Sequence, residues 1–224
     1  MNITKEEIGR GYDKIAEKIY VSEGFYNEVL DIELSFSGDI LEAGVGQGVI
    51  LKNIGRRGGK NIQSLTGIDL SDRLLEMARH NVPEARILKG DVENLEFSNS
   101  SFDFAVMVDT FQYLLDFGKA LEEIRRVLRP GGVFIVTVPN KKWILFENYI
   151  KQRKNIQPVE DHFFDFEEMK LLLENHGFEI AGYKGADALR FYGWKHRLDR
   201  MAAFFLPFLR KRMKKIVFRA INKK

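Results

Sequence analysis

Two hydrophobic rhythms alternate along this chain. Short apolar runs lie at residues 40–43, 64–69, 86–90, 102–108 and 133–138, and the segments between them repeat apolar positions every three or four residues. Two runs, Phe102-Asp103-Phe104-Ala105-Val106-Met107-Val108 and Val133-Phe134-Ile135-Val136-Thr137-Val138, are almost continuously apolar. Strands of a parallel sheet, buried on both faces, have that pattern. Helices are predicted at about 5–18, 24–34, from 49 onward, after Ser71, at 117–128 and at 166–176. Thr4-Lys5-Glu6-Glu7 and Asp165-Phe166-Glu167-Glu168 have capping-box spacing, and Gly177 is placed to end the last of these helices. Residues 178–183 and 188–192 read as two more strands, close enough to pair antiparallel.

Strands alternating with helices predict an α/β architecture. The expected fold is a Rossmann-like, doubly wound, mostly parallel seven-stranded sheet with an antiparallel edge strand. A helical lid is expected at about 140–164, where Trp143, Ile144, Leu145 and Phe146 interrupt the sheet pattern, and a helical cap at about 1–36. The first strand runs into Ala43-Gly44-Val45-Gly46-Gln47-Gly48, a turn with glycines at alternate positions before a helix. Glycine allows a sharp bend and close approach of a ligand, and the helix start offers unpaired N–H groups. A dinucleotide fingerprint would need glycine where Val49 stands, and there is no P-loop lysine, so a nucleoside suits the turn better than a polyphosphate. Asp69 ends the second strand about twenty residues further on, where an acid takes ribose hydroxyls in such sheets. Asp91 and Asp109 also sit just past strand ends, the edge at which α/β sheets bind ligands.

Composition narrows the chemistry. The chain has 224 residues, 45% hydrophobic and 30% charged, with no cysteine. Disulfides, thiolate nucleophiles and cysteine-based zinc sites are therefore excluded. The four histidines are isolated, so no metal site is expected. The start lacks a signal-peptide pattern, and no apolar run approaches the ~20 residues of a membrane span. The net charge of +3 hides an asymmetry: from Trp194 onward eleven Lys and Arg accompany a single acid, Asp199. The other 24 basic and 31 acidic residues leave residues 1–193 at −7. Trp194, Leu198, Met201, Phe205 and Phe208, then Leu209, Met213, Ile216, Val217 and Ile221 after Pro207, predict a basic amphipathic helical tail over 194–224. Such a tail suits an anionic membrane surface, the acidic body or a second subunit.

Several motifs stand together in order: Tyr12-Asp13-x-x-Ala16, the 39–48 turn, Leu65-Thr66-Gly67-Ile68-Asp69, Gly90-Asp91-x-x-x-Leu95-x-Phe97, Phe102-Asp103, Leu128-Arg129-Pro130-Gly131-Gly132 and Leu171-Leu172-x-x-x-x-Gly177-Phe178. With them the chain resembles the class I S-adenosylmethionine-dependent methyltransferases, most closely the small-molecule and quinone-type group. The resemblance implies S-adenosyl-L-methionine as cofactor. Glu42, Gly44, Gly46 and Gly48 would hold its methionine portion, and Asp69 its ribose. Leu70 and Val92 would lie against the adenine, Asp91 would accept from its amino group, and Met107 would lie near the sulfonium. Tyr12 falls in the cofactor site and also beside the acceptor, which Gln112 and Tyr113 would line. In place of the family's His-His-like pair this chain has Gln112-Tyr113, and that bears on the acceptor.

His162 is the candidate general base, because an imidazole titrates near neutrality; holding the lid against the sheet is its structural alternative. The expected activity is methyl transfer to a small-molecule or lipid-like acceptor in the cytoplasm, with possible peripheral membrane contact through the tail. Two alternatives stand beside it: a nucleic-acid or protein methyltransferase docking through the tail, and a non-catalytic binder of the cofactor. The residues after the fourth strand, Val108-Asp109-Thr110-Phe111, lack the N/D-P-P-Y/F motif of many amino-group methyltransferases, which disfavours the former.

Overall fold

The computed structural model describes residues 3–19, 23–143, 146–152, 157–186 and 213–224. Its centre is a seven-stranded sheet of β1 (Gly38–Ala43), β2 (Ile62–Asp69), β3 (Arg86–Lys89), β4 (Phe102–Met107), β5 (Leu128–Pro139), β6 (Phe178–Ala186) and β7 (Lys215–Asn222). The order across the sheet is β3-β2-β1-β4-β5-β7-β6. The first five strands pair in parallel, and β7 runs antiparallel to both β5 and β6. The chain reverses direction across the sheet after β3, and ligands bind at such switch points.

Helices cover both faces: α1 (Lys5–Ile15), α2 (Glu23–Leu30), α3 (Val49–Gly58), α4 (Asp72–Asn81), α5 (Phe117–Val127), α6 (Phe146–Gln152) and α7 (Phe166–Asn175). Local chemistry fixes their starts. Thr4 and Asp165 form capping boxes with Glu7 and Glu168, and Ser71 Oγ accepts the Leu74 N–H at 3.1 Å. The core is divided by the sheet. Leu41, Ala105, Phe134, Val136 and Phe218 pack toward α5 and α7, while Ile40, Phe104, Val106, Ile135 and Val217 pack toward α2, α3 and α4. Both sides of one strand are therefore apolar, which accounts for the continuous runs. At the opposite end of the sheet from the strand-end acids, Arg129 joins Asp39 and Asp103, so the Phe102-Asp103 motif serves the fold.

One expectation is corrected. The end of the basic tail is not helical: Lys215–Asn222 form β7, with Phe218 fully buried and stacked on Phe166. Sandwiched between β5 and β6, its backbone satisfies two ladders at once, a stabilisation that no pattern of a single segment reveals. Its charges pair with the acidic body, Arg219 with Glu33 at 2.8 Å and Lys223 with Glu179 at 3.1 Å. Residues 194–212 of the expected helix, and the strand expected at 188–192, lie outside the described residues. Among the described residues no helix is long and apolar enough to cross a membrane.

Candidate active site

A cavity of about 380 Å³ runs along the edge of the sheet where the parallel strands end. Gly90 and Asp91 after β3, Asp69 closing β2, Glu42 and the glycine turn of β1, and Asp109 and Thr110 after β4 line it in that order. Lys215, the first residue of β7, closes the far end.

The glycine turn is held by its neighbours. Asp69 accepts the Gly46 N–H at 2.9 Å and the Ser71 N–H at 3.0 Å. Gln47 donates to the Ala16 carbonyl at 3.2 Å, tying the turn to the segment after α1. Gly44 has φ +81°, and a Cβ there would strike Thr110. Gly46 also has positive φ, but a Cβ there would point into open space. Gly48 caps α3 and lies against Ala78 of α4 and Val82 just beyond that helix; it spaces helices and does not line the cavity.

Glu42 is 2% exposed, and its Oε2 has no hydrogen-bond partner. Burial first, then the Asp69 charge, raise its carboxyl well above the usual range, against the opposing effect of the Leu51 N–H. Burial likewise raises Asp69, opposed by the Ser71 and Gly46 amides. The Tyr12 hydroxyl is buried without a hydrogen-bond partner, and Tyr12 meets Tyr113 edge to face at 6.0 Å. Burial and then the hydrogen-bonded Asp161 carboxylate push the Tyr113 phenol far upward. A buried carboxylate with an orphaned oxygen, beside a turn with room for a ligand, fits a cationic nucleoside with an amino group.

Of the residues expected at the cofactor, Tyr12, Glu42, Gly44, Gly46, Asp69, Leu70, Asp91 and Val92 line this cavity, as do Gln112 and Tyr113. Met107 does not; it is fully buried toward α5, and Val108 and Asp109 hold the lining positions instead. His162 is also outside the lining. Its exposed ring packs on Phe117 and Phe164, with centroids at 5.0 and 4.5 Å, while its backbone N–H donates to the Gln112 carbonyl at 3.0 Å. The neighbouring Asp161, by contrast, reaches the Tyr113 hydroxyl. Sequence reasoning missed Lys5, which pairs with Asp91 at 3.3 Å and with Glu93, as well as Tyr26 and Lys215. The capping box on Thr4 placed Lys5 on a helix, but nothing local aimed that helix at the cavity. Among the described residues no group of His, Asp and Glu could hold a metal ion.

A protein-family profile described as "Methyltransferase domain" matches residues 41–136. A Mycolicibacterium smegmatis protein described as "Probable S-adenosylmethionine-dependent methyltransferase" is 30% identical over 150 residues, 66% of this chain and 54% of the relative. Demethylmenaquinone methyltransferase of Staphylococcus haemolyticus is 26% identical over 159 residues, 59% of this chain and 66% of its own length. The chain thus spans about half to two thirds of these relatives. The crystal structure of a SAM-dependent methyltransferase from Thermotoga maritima superposes with a TM-score of 0.72 at 25% identity, covering 97% of this chain and all of that one. With its strand order, its glycine turn and these likenesses, the chain carries a methyltransferase domain over residues 41–136 and has the fold and the cofactor, S-adenosylmethionine, of the class I S-adenosylmethionine-dependent methyltransferases.

Proposed function

We propose that the protein transfers a methyl group from S-adenosylmethionine to a small-molecule or lipid-like acceptor bound between the glycine turn and β7. The observation that carries this reading is the buried Glu42 carboxylate, whose Oε2 lacks a partner within the cavity. Glu42 and the Gly44–Gly46 bend are assigned the methionine portion, Asp69 the ribose, and Asp91, Leu70 and Val92 the adenine. The cofactor supplies a sulfonium that yields its methyl to a nucleophile. The chain supplies position and dryness. α1 lies beside the cavity, with Gly9 against the Leu70 carbonyl and Gly11 against Pro158, a packing that would shield the bound cofactor from water. Tyr12, Tyr113 and Gln112 form walls against which a flat or greasy acceptor is oriented. The quinone-directed relative supports such an acceptor.

Within the described part of the C-terminus, docking of nucleic acid gains little support, because Lys215, Arg219 and Lys223 are paired within the chain. Titration calorimetry with S-adenosylhomocysteine tests the proposal. The wild type gives a saturating heat, and Asp69→Ala weakens binding roughly tenfold or more, as expected for loss of a charged hydrogen-bond acceptor. No heat in the wild type, or equal affinity in the variant, rejects it.

A further inference from the structure

We propose that Lys215 is the acceptor-binding cation of this enzyme, holding an acidic hydroxyl, a phenol or enol, as its oxyanion. The inference rests on the methyl-transfer reading above. β7 begins opposite Pro139 at the end of β5. β7 lies two strands beyond β4, on the order of 10 Å. The lysine reaches back across that gap, and its Nζ meets Asp109 Oδ1 at 2.6 Å inside the cavity. Asp69 and Asp91, assigned to the nucleoside, lie on the other side of the glycine turn, so Lys215 marks the acceptor end.

Two further features indicate a built site. The Lys215 side chain is only 13% exposed, and lysines are rarely so buried unless paired or used. Asp109 sits at φ +55°, a left-handed conformation unusual for a residue other than glycine, and its N–H is fixed on Thr137 Oγ1 at 2.9 Å. Such strain persists where the surroundings over-determine it, and it concentrates at functional sites. Facing this end from the neighbouring elements are Asp109 after β4, Glu42 on β1 and the Tyr26 ring on α2, all of which line the cavity.

The chemistry of the pair selects the ligand. A cationic amine would be repelled by the ammonium, and a doubly charged phosphate would meet about twice the repulsion from Asp109 that a singly charged oxygen meets. A singly charged oxygen on a flat skeleton meets the ammonium and lies against the tyrosine walls. In the reaction the acceptor enters as its oxyanion, with the proton left in bulk water. An oxygen lone pair forms the new bond to the methyl carbon, the carbon–sulfur bond breaks, and its electron pair remains on sulfur.

The probe is 4-nitrophenol, whose two protonation states differ in colour, titrated against protein saturated with S-adenosylhomocysteine. The bound probe ionises about one pH unit or more below the free probe, as a neighbouring cation requires. Lys215→Met abolishes that shift and weakens phenolate binding about tenfold, whereas Lys215→Arg keeps most of it. Asp109→Asn tightens phenolate binding, because a carboxylate that repels the phenolate is removed while asparagine tolerates the same left-handed backbone. A structural role for the ion pair predicts the reverse. The uncharged 4-nitroanisole binds wild type and Lys215→Met alike. No binding of 4-nitrophenol, an unshifted ionisation, an equal shift in Lys215→Met, or weaker binding in Asp109→Asn overturns the proposal. Calorimetry with S-adenosylhomocysteine separates the failures: heat retained without a probe effect removes only the lysine assignment, while no heat in the wild type removes the methyl-transfer reading. If Lys215→Met fails to fold, the wild-type shift and the sign of the Asp109→Asn effect decide.

Discussion

Gly44 and Gly46 belong to one bend yet answer to different constraints. A methyl at Gly44 would lie 2.2 Å from Thr110 Oγ1, whereas at Gly46 it meets no atom within 4 Å. Both substitutions strain a positive φ by about 1–2 kcal/mol. Gly44→Ala adds a clash and is expected to lower the melting temperature further. Gly46→Ala keeps its fold and loses S-adenosylhomocysteine affinity; thermal melting and calorimetry on the pair check this. Glu42 gives a prediction of opposite sign. Its folded carboxyl is raised above the ordinary value of 4.5, mainly by burial. The associated stability is present below pH 4.5 and lost as pH rises through the folded value. Glu42→Gln therefore stabilises the ligand-free protein near neutral pH by about 1 kcal/mol, roughly 2–4 °C, while weakening cofactor binding. That gain fades as the pH falls to 4.5, and melting curves at both pH values show whether it does. Asp69 was legible in the sequence because spacing from the glycine turn carries it. Lys215 and Tyr26 were not, since neither lies in a motif and both reach the cavity from distant segments.

At the scale of elements, β7 is where pattern and structure diverge. Leu209, Met213, Ile216, Val217 and Ile221 satisfy a helical period, yet Ile216-Val217-Phe218 is a consecutive apolar run with two β-branched residues. Burial on both faces removes the period-two signal, so a short window cannot separate the alternatives. The strand is held by Phe218, buried on Phe166, and by Asn222, whose amide donates to the carbonyls of Arg125, Leu128 and Arg129. Phe218→Ala is expected to cost about 3–5 kcal/mol in urea unfolding, as for other buried aromatics. A loss below 1 kcal/mol would place β7 outside the cooperative core.

For the whole molecule, the cavity is assembled from segments far apart in sequence, so ligand binding should couple them. α1 is tied to α4 through Asp13, which accepts from Ser71 Oγ at 2.6 Å and from the Arg73 N–H at 3.0 Å. Lys5 ties its start to Asp91. Saturation with S-adenosylhomocysteine at about 100 times its Kd should add about 2.7 kcal/mol of stability. Amide exchange in 5–15 should slow with it, and unchanged exchange there would mean that α1 does not cover the ligand.

The sequence by itself determined the alternation of strands and helices, the glycine bend and the acids at the strand ends. These are local, set by apolar period, by glycine's tolerance of positive φ and by chain direction. Only the tertiary structure decided that the basic C-terminus is a strand inside the sheet, that Lys5 and Lys215 stand at opposite ends of the cavity, and that the His162 ring lies outside it. Each of those depends on which distant segment supplies the hydrogen-bond partner or counter-charge, and that pairing is a property of the assembled fold.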